Sequence, residues 1–370
     1  MHADPLQLLA AENPVPAARL TGAAGRPEAA ALREHVLAAG GERPARGARR
    51  RRLAIGLAVA CVAAAAAVVP AALLPDERIG ASPVAAQALE DLATTAAEQP
   101  GIAWATTPGV QLYSRTHVLW SASSAGESGP FVALVPHTIE TWVDRDGAGR
   151  RRDVPEAPVF LGDRDRALWV RDGNSLAAAP PEETRSNRLD WTFSYLPEGC
   201  ADAACAVKIP VRELPTDVPS LGRLLHEYGA DLATRDGQDP SGAAFREIAE
   251  LLGAPTASPG LRATLFRVAA ELRGVELIAP EAAPQLQPEL ELRAGRPIDL
   301  TDLTIVGFIH TDNGARIREE IVLDERTAAV VATRLVLLDR TYWIDAEPPA
   351  VIGYEVFDEI AWVNSASSHP

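Results

Sequence analysis

The sequence predicts an α+β domain, a curved antiparallel sheet packed over helices, preceded by one transmembrane helix and a short helical tail. Three observations carry the prediction. An uncharged apolar run stretches from Leu53 to Leu74. Beyond it, the apolar pattern changes from strand-like alternation to a helical period and back again. Asp312-Asn313-Gly314 then stands between two alternating runs, as a tight hairpin requires.

The tail, residues 1–52, opens with Leu6, Leu8 and Leu9 before the turn Asn13-Pro14-Val15-Pro16, and continues with Leu32, Val36 and Leu37 at helical spacing. Neither piece is long enough to bury a core. They read as two short amphipathic helices able to dock on a partner, with a disordered leader as the alternative.

Residues 53–74 contain 22 residues without a charge. A helix of that length spans about 33 Å, enough for a hydrocarbon core of roughly 30 Å. Arg49, Arg50, Arg51 and Arg52 abut its start, whereas Pro75-Asp76-Glu77 follows its end. The positive-inside rule then puts the tail in the cytoplasm and the remainder outside, as a single-pass protein of the cell membrane. A cleaved signal peptide fits less well, because the basic region preceding the run is long. Lipid attachment at Cys61 fits less well too, since apolar residues continue beyond it. A buried helix of a water-soluble protein is disfavoured by the adjoining arginines.

Charge divides in the same way. Residues 1–74 carry nine Arg and five acids, and the other 296 residues carry 26 basic and 45 acidic groups, a net of −19. A domain so acidic repels phosphate backbones, and nucleic-acid binding is excluded on that ground. Cys200 and Cys205 form an even pair on the outer side of the membrane and read as a disulfide closing a small loop, a free dithiol being the alternative.

The segment 75–100 holds a linker and a first helix, with Ser82 as cap, Pro83 at its first position and Leu89, Leu92 and Ala96 on one face. The domain proper runs over residues 101–365. Strands are expected at Val110–Ser121, Thr138–Asp144 and Leu189–Tyr195, with a turn at Asp144-Arg145-Asp146-Gly147. Three helices follow. The first opens at Pro219 and carries Leu221, Leu224, Leu225 and Tyr228. The second carries Phe245, Ile248, Leu251 and Leu252 and ends at Gly253, and the third opens with Ser258-Pro259 and carries Leu261, Leu265, Val268 and Leu272. From about Val275 the chain returns to strands, with Thr304–Thr311 and Ala315–Leu323 flanking the Asn-Gly turn, then Val330–Leu338 and Val351–Phe357.

Catalytic chemistry was sought in the pattern. The histidines His2, His35, His117, His137, His226, His310 and His369 form no His-Glu-x-x-His set. Ser128 lacks the second glycine of a nucleophile elbow. Asp144, Asp146 and Asp153 suggest calcium only weakly, because Arg150, Arg151 and Arg152 lie among them; a hairpin turn is the better reading. The sequence therefore predicts no catalytic residue, no cofactor site and no metal site, and a protein that is not an enzyme.

Several segments carry a resemblance: Leu6–Leu20 with its Asn-Pro-Val-Pro turn, the arginine cluster and Ala-rich run, Glu213-Leu-Pro-Thr-Asp217, Ser258–Arg267 through Leu272-Arg-Gly-Val275, and Gly314–Glu320 with Asp324-Glu-Arg-Thr327. Together they resemble a family of uncharacterised membrane-anchored proteins of high-GC Gram-positive bacteria, often encoded beside extracytoplasmic-function sigma factors. The resemblance implies a regulatory or sensory protein of anti-sigma-like topology, with a sigma factor as the partner of residues 1–52. The zinc-type anti-sigma set His-x-x-x-Cys-x-x-Cys is missing, since His35 stands alone in the tail. At the level of architecture the outer domain is similar to the half-open barrel of lipoprotein carriers, an analogy of fold only. That analogy implies a lipid or lipoprotein binding module as a second reading. An envelope hydrolase is the third.

Overall fold

In a computed structural model, the protein is described at residues 80–101, 109–126, 129–186, 189, 191–195, 206–284, 300–312 and 314–364. All of these belong to the unit that runs from Leu74 to Pro370. The tail, the apolar run at Leu53–Leu74 with its arginine cluster, and the Cys200/Cys205 pair lie outside the described residues. No helix among the described residues is long and apolar enough to cross a membrane.

The fold is α+β, as expected, with one large antiparallel sheet over helices and no closed barrel. Helix α1 (Pro83–Glu98) precedes strands β1 (Gln111–Gly126), β2 (Gly129–Val143) and β3 (Gly149–Pro155), a short helix α2 (Asp163–Arg171) and strand β4 (Glu182–Ser186). A separate hairpin, β5 (Thr192–Tyr195) and β6 (Val207–Pro210), leads to helices α3 (Val218–Asp236), α4 (Pro240–Gly253) and α5 (Pro259–Glu271). Strands β7 (Val275–Ile278), β8 (Leu303–Asp312), β9 (Ala315–Asp324), β10 (Ala329–Leu337) and β11 (Ala350–Val363) complete the chain. The sheet order is β4-β3-β2-β1-β11-β10-β9-β8-β7, every pair antiparallel. Two meanders therefore meet at a single seam between β1 and β11.

Local chemistry accounts for the helix starts. Each of α1, α3, α4 and α5 has Pro at its first or second position and a side-chain cap: Ser82 accepts from the Ala85 amide, Asp217 from Ser220, Asp239 from Gly242 and Ser258 from Leu261. The cap satisfies an amide that has no partner inside the helix, and proline occupies a position whose amide needs none. Gly237, at φ 67°, ends α3 in the left-handed conformation. The predicted hairpin is present: Asp312 pairs with Ala315 across a two-residue loop in which Gly314 adopts φ 80°. The Asp144 turn is also present, with its carboxylate accepting from the amides of Asp146 and Ala148.

The structure adds elements that the pattern did not mark. Strand β3 carries Gly-Arg-Arg-Arg-Asp and β4 Glu-Glu-Thr-Arg-Ser, so neither shows apolar alternation. Strand β3 pairs with the edge of β2 and β4 with the edge of β3, which is information the side chains do not contain. Strand β2 starts at Gly129 rather than Thr138, and β11 continues to Val363 rather than stopping at Phe357.

The main core lies between the helices and one face of the sheet. Leu89, Leu92, Leu221, Leu225, Ile248, Leu252 and Leu265 pack there with Val306, Phe308, Ile321 and Leu323. Each fully buried side chain of this size contributes roughly 1.5–3 kcal/mol. The opposite face buries Ile305, Val322, Val331, Ala332 and Val356, which explains why β8–β10 are apolar on both sides.

Helix α4 rests against the sheet through glycines. A Cβ on Gly242 would lie 2.7 Å from the Phe308 ring, and one on Gly253 would lie 2.3 Å from the Phe357 ring. The Phe308 ring has little room to yield. A Cβ on Gly274 would approach it to 3.0 Å from another side, and Phe245 stacks on it at 6.0 Å between centroids. Gly242→Ala should therefore lower stability by about 1–3 kcal/mol in urea unfolding, despite the better helix propensity of alanine. Combining it with Phe308→Leu should make the loss less than additive. A stabilised Gly242→Ala variant would contradict this packing.

Candidate functional site

Alternate residues of a strand face one side of a sheet, so a strip of the helix-covered face is presented to α4. Val118 and Trp120 come from β1, Glu319 from β9, Thr333 and Leu335 from β10, and Gly353 and Glu355 from β11. On α4, Phe245, Ile248 and Leu252 enter the core, while Arg246, Ala249 and Glu250 lie on the neighbouring flank. Their spacing of three and four residues keeps them on one stripe.

That flank borders a cleft in three connected parts. The first, about 280 Å³, lies among Ser114, Thr116, Thr141, Trp120, Trp191, Arg151, Glu250 and Glu355. The second, about 170 Å³, shares Val118, Trp120, Glu250 and Glu355 with it and is lined also by Phe245 and Ala249. The third, about 570 Å³, shares Arg246, Glu319 and Leu335 with the second and reaches His310 and Asp239. Small-molecule sites are commonly clefts of several hundred Å³ with a few converging polar groups.

The charges along the cleft are unevenly matched. At one end Glu319 is held by Arg246, whose Nε donates at 2.7 Å, and Gln238 accepts from the same guanidinium at 3.2 Å. His310 Nδ1 lies 3.8 Å from Glu319. Farther along, Glu250 and Glu355 line the same cavity, and neither accepts a hydrogen bond or forms an ion pair with any described residue. Burial pushes the Glu355 carboxyl up to about 8; the nearby Glu250 charge adds to the rise and Arg151 opposes it. Burial raises Glu250 too, with Arg246 opposing and Glu319 adding. On the α3 side of α4, burial pushes Glu247 up to about 7, a hydrogen bond from Tyr228 working against the rise.

On the face away from the helices, the buried acid of β9 is paired. Glu320, next to Glu319 but pointing to the other side of β9, accepts from Arg334 at 3.0 Å and from Arg318 at 2.6 Å. The carbonyls of Ala282 and Pro284 accept from those two guanidiniums. The Glu319-Glu320 pair in the resemblance motif is thus one residue of the cleft and one of a buried ion pair.

None of the residues named for a disulfide, for topology or for calcium is part of the cleft, whereas His310, one of the seven histidines, lines its third part. Cys200, Cys205 and Arg49–Arg52 lie outside the described residues. Of the aspartates weighed for calcium, Asp144 closes its own turn and Asp153 faces His137 at 2.7 Å. No group of three metal-ligating side chains is placed to hold an ion among the described residues. Glu250 and Glu355 escaped the sequence reading because glutamates flanking an apolar stripe or inside an alternating strand look solvated. Their signal was faint: Glu355 falls on the same strand face as Phe357, two residues on. No protein-family model, curated protein or solved structure matches the chain.

The raised carboxyls give stability a pH dependence whose sign is fixed. Folding raises the Glu355 value from 4.5 to about 8, so within that window the native state holds a proton that the unfolded chain has released. This contribution is fully present below the lower value and is lost as pH rises through the window. Thermal unfolding of the wild type should shift to lower temperature between about pH 5 and about pH 8, and less so for Glu355→Gln. Identical pH profiles for the two proteins would show that the carboxyl is solvated.

Proposed function

We propose that this chain is a single-pass membrane sensor whose outer domain, a half-open barrel in type, takes a ligand into the cleft beside α4 and whose cytoplasmic tail reports it to a partner. Residues 53–74 would span the membrane, with Arg49–Arg52 on the cytoplasmic side and the acidic domain outside. One observation carries the reading: a cleft beside a core helix that keeps two carboxyls, the half-buried Glu355 and the more exposed Glu250, without a hydrogen-bond or ion-pair partner among the described residues. Covering the Glu355 carboxyl without such a partner is costly, and binding sites are where such cost is retained.

A second feature supports signalling over storage. The residues that enter α1 are tied to α5 and to the start of β7, the Ala81 amide donating to the Ala270 carbonyl at 3.2 Å and the Ser82 amide to the Val275 carbonyl at 2.9 Å. A shift of the helices on ligand binding would thus be felt directly where the chain leaves for the apolar run. The partner proposed for residues 1–52 is an extracytoplasmic-function sigma factor, on the resemblance alone.

The alternative of a lipid or lipoprotein carrier has one point in its favour, the apolar wall of Phe245, Ala249, Val118 and Leu335 in the middle of the cleft. The carboxyls and guanidinium beside that wall oppose it, because an acyl chain would desolvate them without pairing them.

Three measurements test the proposal. A C-terminal reporter that functions only outside the cytoplasm should be active, and the tagged tail should retain the sigma factor. A reporter active only in the cytosol rejects the topology, and no association in detergent or in cells rejects the partner. Native mass spectrometry of the full chain should release a small polar ligand; a fatty acyl lipid released instead would favour the carrier reading.

A further inference from the structure

The chemistry of the cleft narrows what it holds, granted the proposed ligand-binding role. We propose that the cleft recognises a small organic cation, its ammonium group paired by Glu250 and Glu355 and its carbon skeleton set against the indoles of Trp120 and Trp191. Four observations converge on that class.

The unpaired groups in the cavity are acids. Glu250 and Glu355 have no partner among the described residues, whereas every nearby guanidinium is engaged. Arg246 is held by Glu319 and Gln238. Arg115 is held by Asp358 and Glu359, at 2.5 and 3.2 Å. Arg151 sits 3.8 Å from Asp153. An anionic ligand would meet two carboxyls and no free counter-charge.

The aromatic lining is indole, the ring with the strongest attraction for a cation over its face. Trp120 is 43 % exposed, and its ring packs on His137 at 4.4 Å while lining the cavity.

An inorganic ion is a poorer occupant, because no set of three metal-ligating side chains gathers there among the described residues. A neutral sugar could stack on the indoles and bond to Ser114, Thr116 and Thr141. Its hydroxyls could donate to the carboxyls but would bring no charge to offset Glu250, so the cation is the better match. The volume, about 280 Å³, suits a molecule of small metabolite size.

Binding of such a cation has a proton signature. The charged groups that share the cleft with Glu355 are Glu250 and Arg246 from α4, Glu319 and Glu320 from β9, Arg334 from β10, Arg151 from β3, and Arg115 with Glu359 at the seam; His137, held by Asp153, lies behind Trp120. Before binding, Glu355 holds its proton up to about pH 8; an ammonium group beside it favours the carboxylate, so the proton leaves to buffer as the complex forms. Affinity should therefore rise with pH through that range.

The test uses the full chain in detergent, with 1,4-diaminobutane and choline as cationic probes and glucose and N-acetylglucosamine as neutral ones. At pH 7, a cationic probe should change tryptophan fluorescence saturably, and its calorimetric heat should differ between phosphate and Tris buffers by the heat of proton release. Glu250→Gln and Glu355→Gln should each weaken binding at least tenfold, and Trp120→Ala should remove most of the fluorescence response. Glu250 is solvent-accessible, so Glu250→Gln keeps the test decisive should Glu355→Gln fail to fold. Undiminished binding by both Gln variants would overturn the proposal. A neutral probe that binds in a Trp120-dependent way while the cations do not would overturn the cation class and leave the ligand-binding reading standing. No binding by any probe, with native mass spectrometry finding an empty chain, would overturn both.

Discussion

Strands β1 and β11 are drawn from opposite ends of the domain, 243 residues apart at the Arg115–Asp358 contact, and their antiparallel pairing makes two meanders into one sheet. Closing so long a loop costs chain entropy that only the finished pairing returns. The seam is reinforced where it is irregular. The register shifts between Arg115 and Thr116, Asp358 falls in the bulge, and its carboxylate meets both Arg115 and His117. On the far side of that bulge, Glu355 comes opposite Val118, facing α4. Without the seam there is no strand to carry Glu355 into the cleft and no neighbouring strand to bring Trp120 beside it.

The stance of α4 is the complementary condition. Bare backbone at Gly242 and Gly253 lets the helix settle onto Phe308 and Phe357, and the core stripe of Phe245, Ile248 and Leu252 fixes its rotation. Arg246 and Glu250 are then directed along the sheet rather than away from it. The helix thereby divides the charge of the cleft: Arg246 neutralises Glu319 at one end, and at the other the Glu250 charge helps to keep the Glu355 carboxyl protonated. Sheet and helix each supply one carboxyl, and neither is hydrogen-bonded or ion-paired to a described residue, Arg151 and Arg246 acting on them only from a distance.

Much of the domain was legible in the sequence because it rests on local rules. The Ser-Pro starts at Ser82 and Ser258, the leucine stripes of α3 and α5 and the Asn-Gly hairpin each follow from a few neighbouring residues, and all are found where they were expected. Strands β3 and β4 were not legible, since their arginines and glutamates pair with one another, as Arg150 does with Glu183, only once the strands are side by side. The cleft was not legible for the same reason. Glu250 and Glu355 look like surface residues until a pairing of distant strands and a glycine-mediated approach of a helix put them in one cavity. What the sequence says about the tail and the apolar run rests on composition and charge, and those residues lie outside the described ones.

The most direct measurement of this account is the titration of the glutamate side-chain carboxyls by carbon-13 NMR, with the Glu355 resonance assigned by its loss in Glu355→Gln. A midpoint near 8 for Glu355, displaced downward when Glu250 is replaced by Gln, is the expected result. A Glu355 midpoint at the ordinary glutamate value, indifferent to residue 250, would mean that the two carboxyls do not share an enclosed cleft.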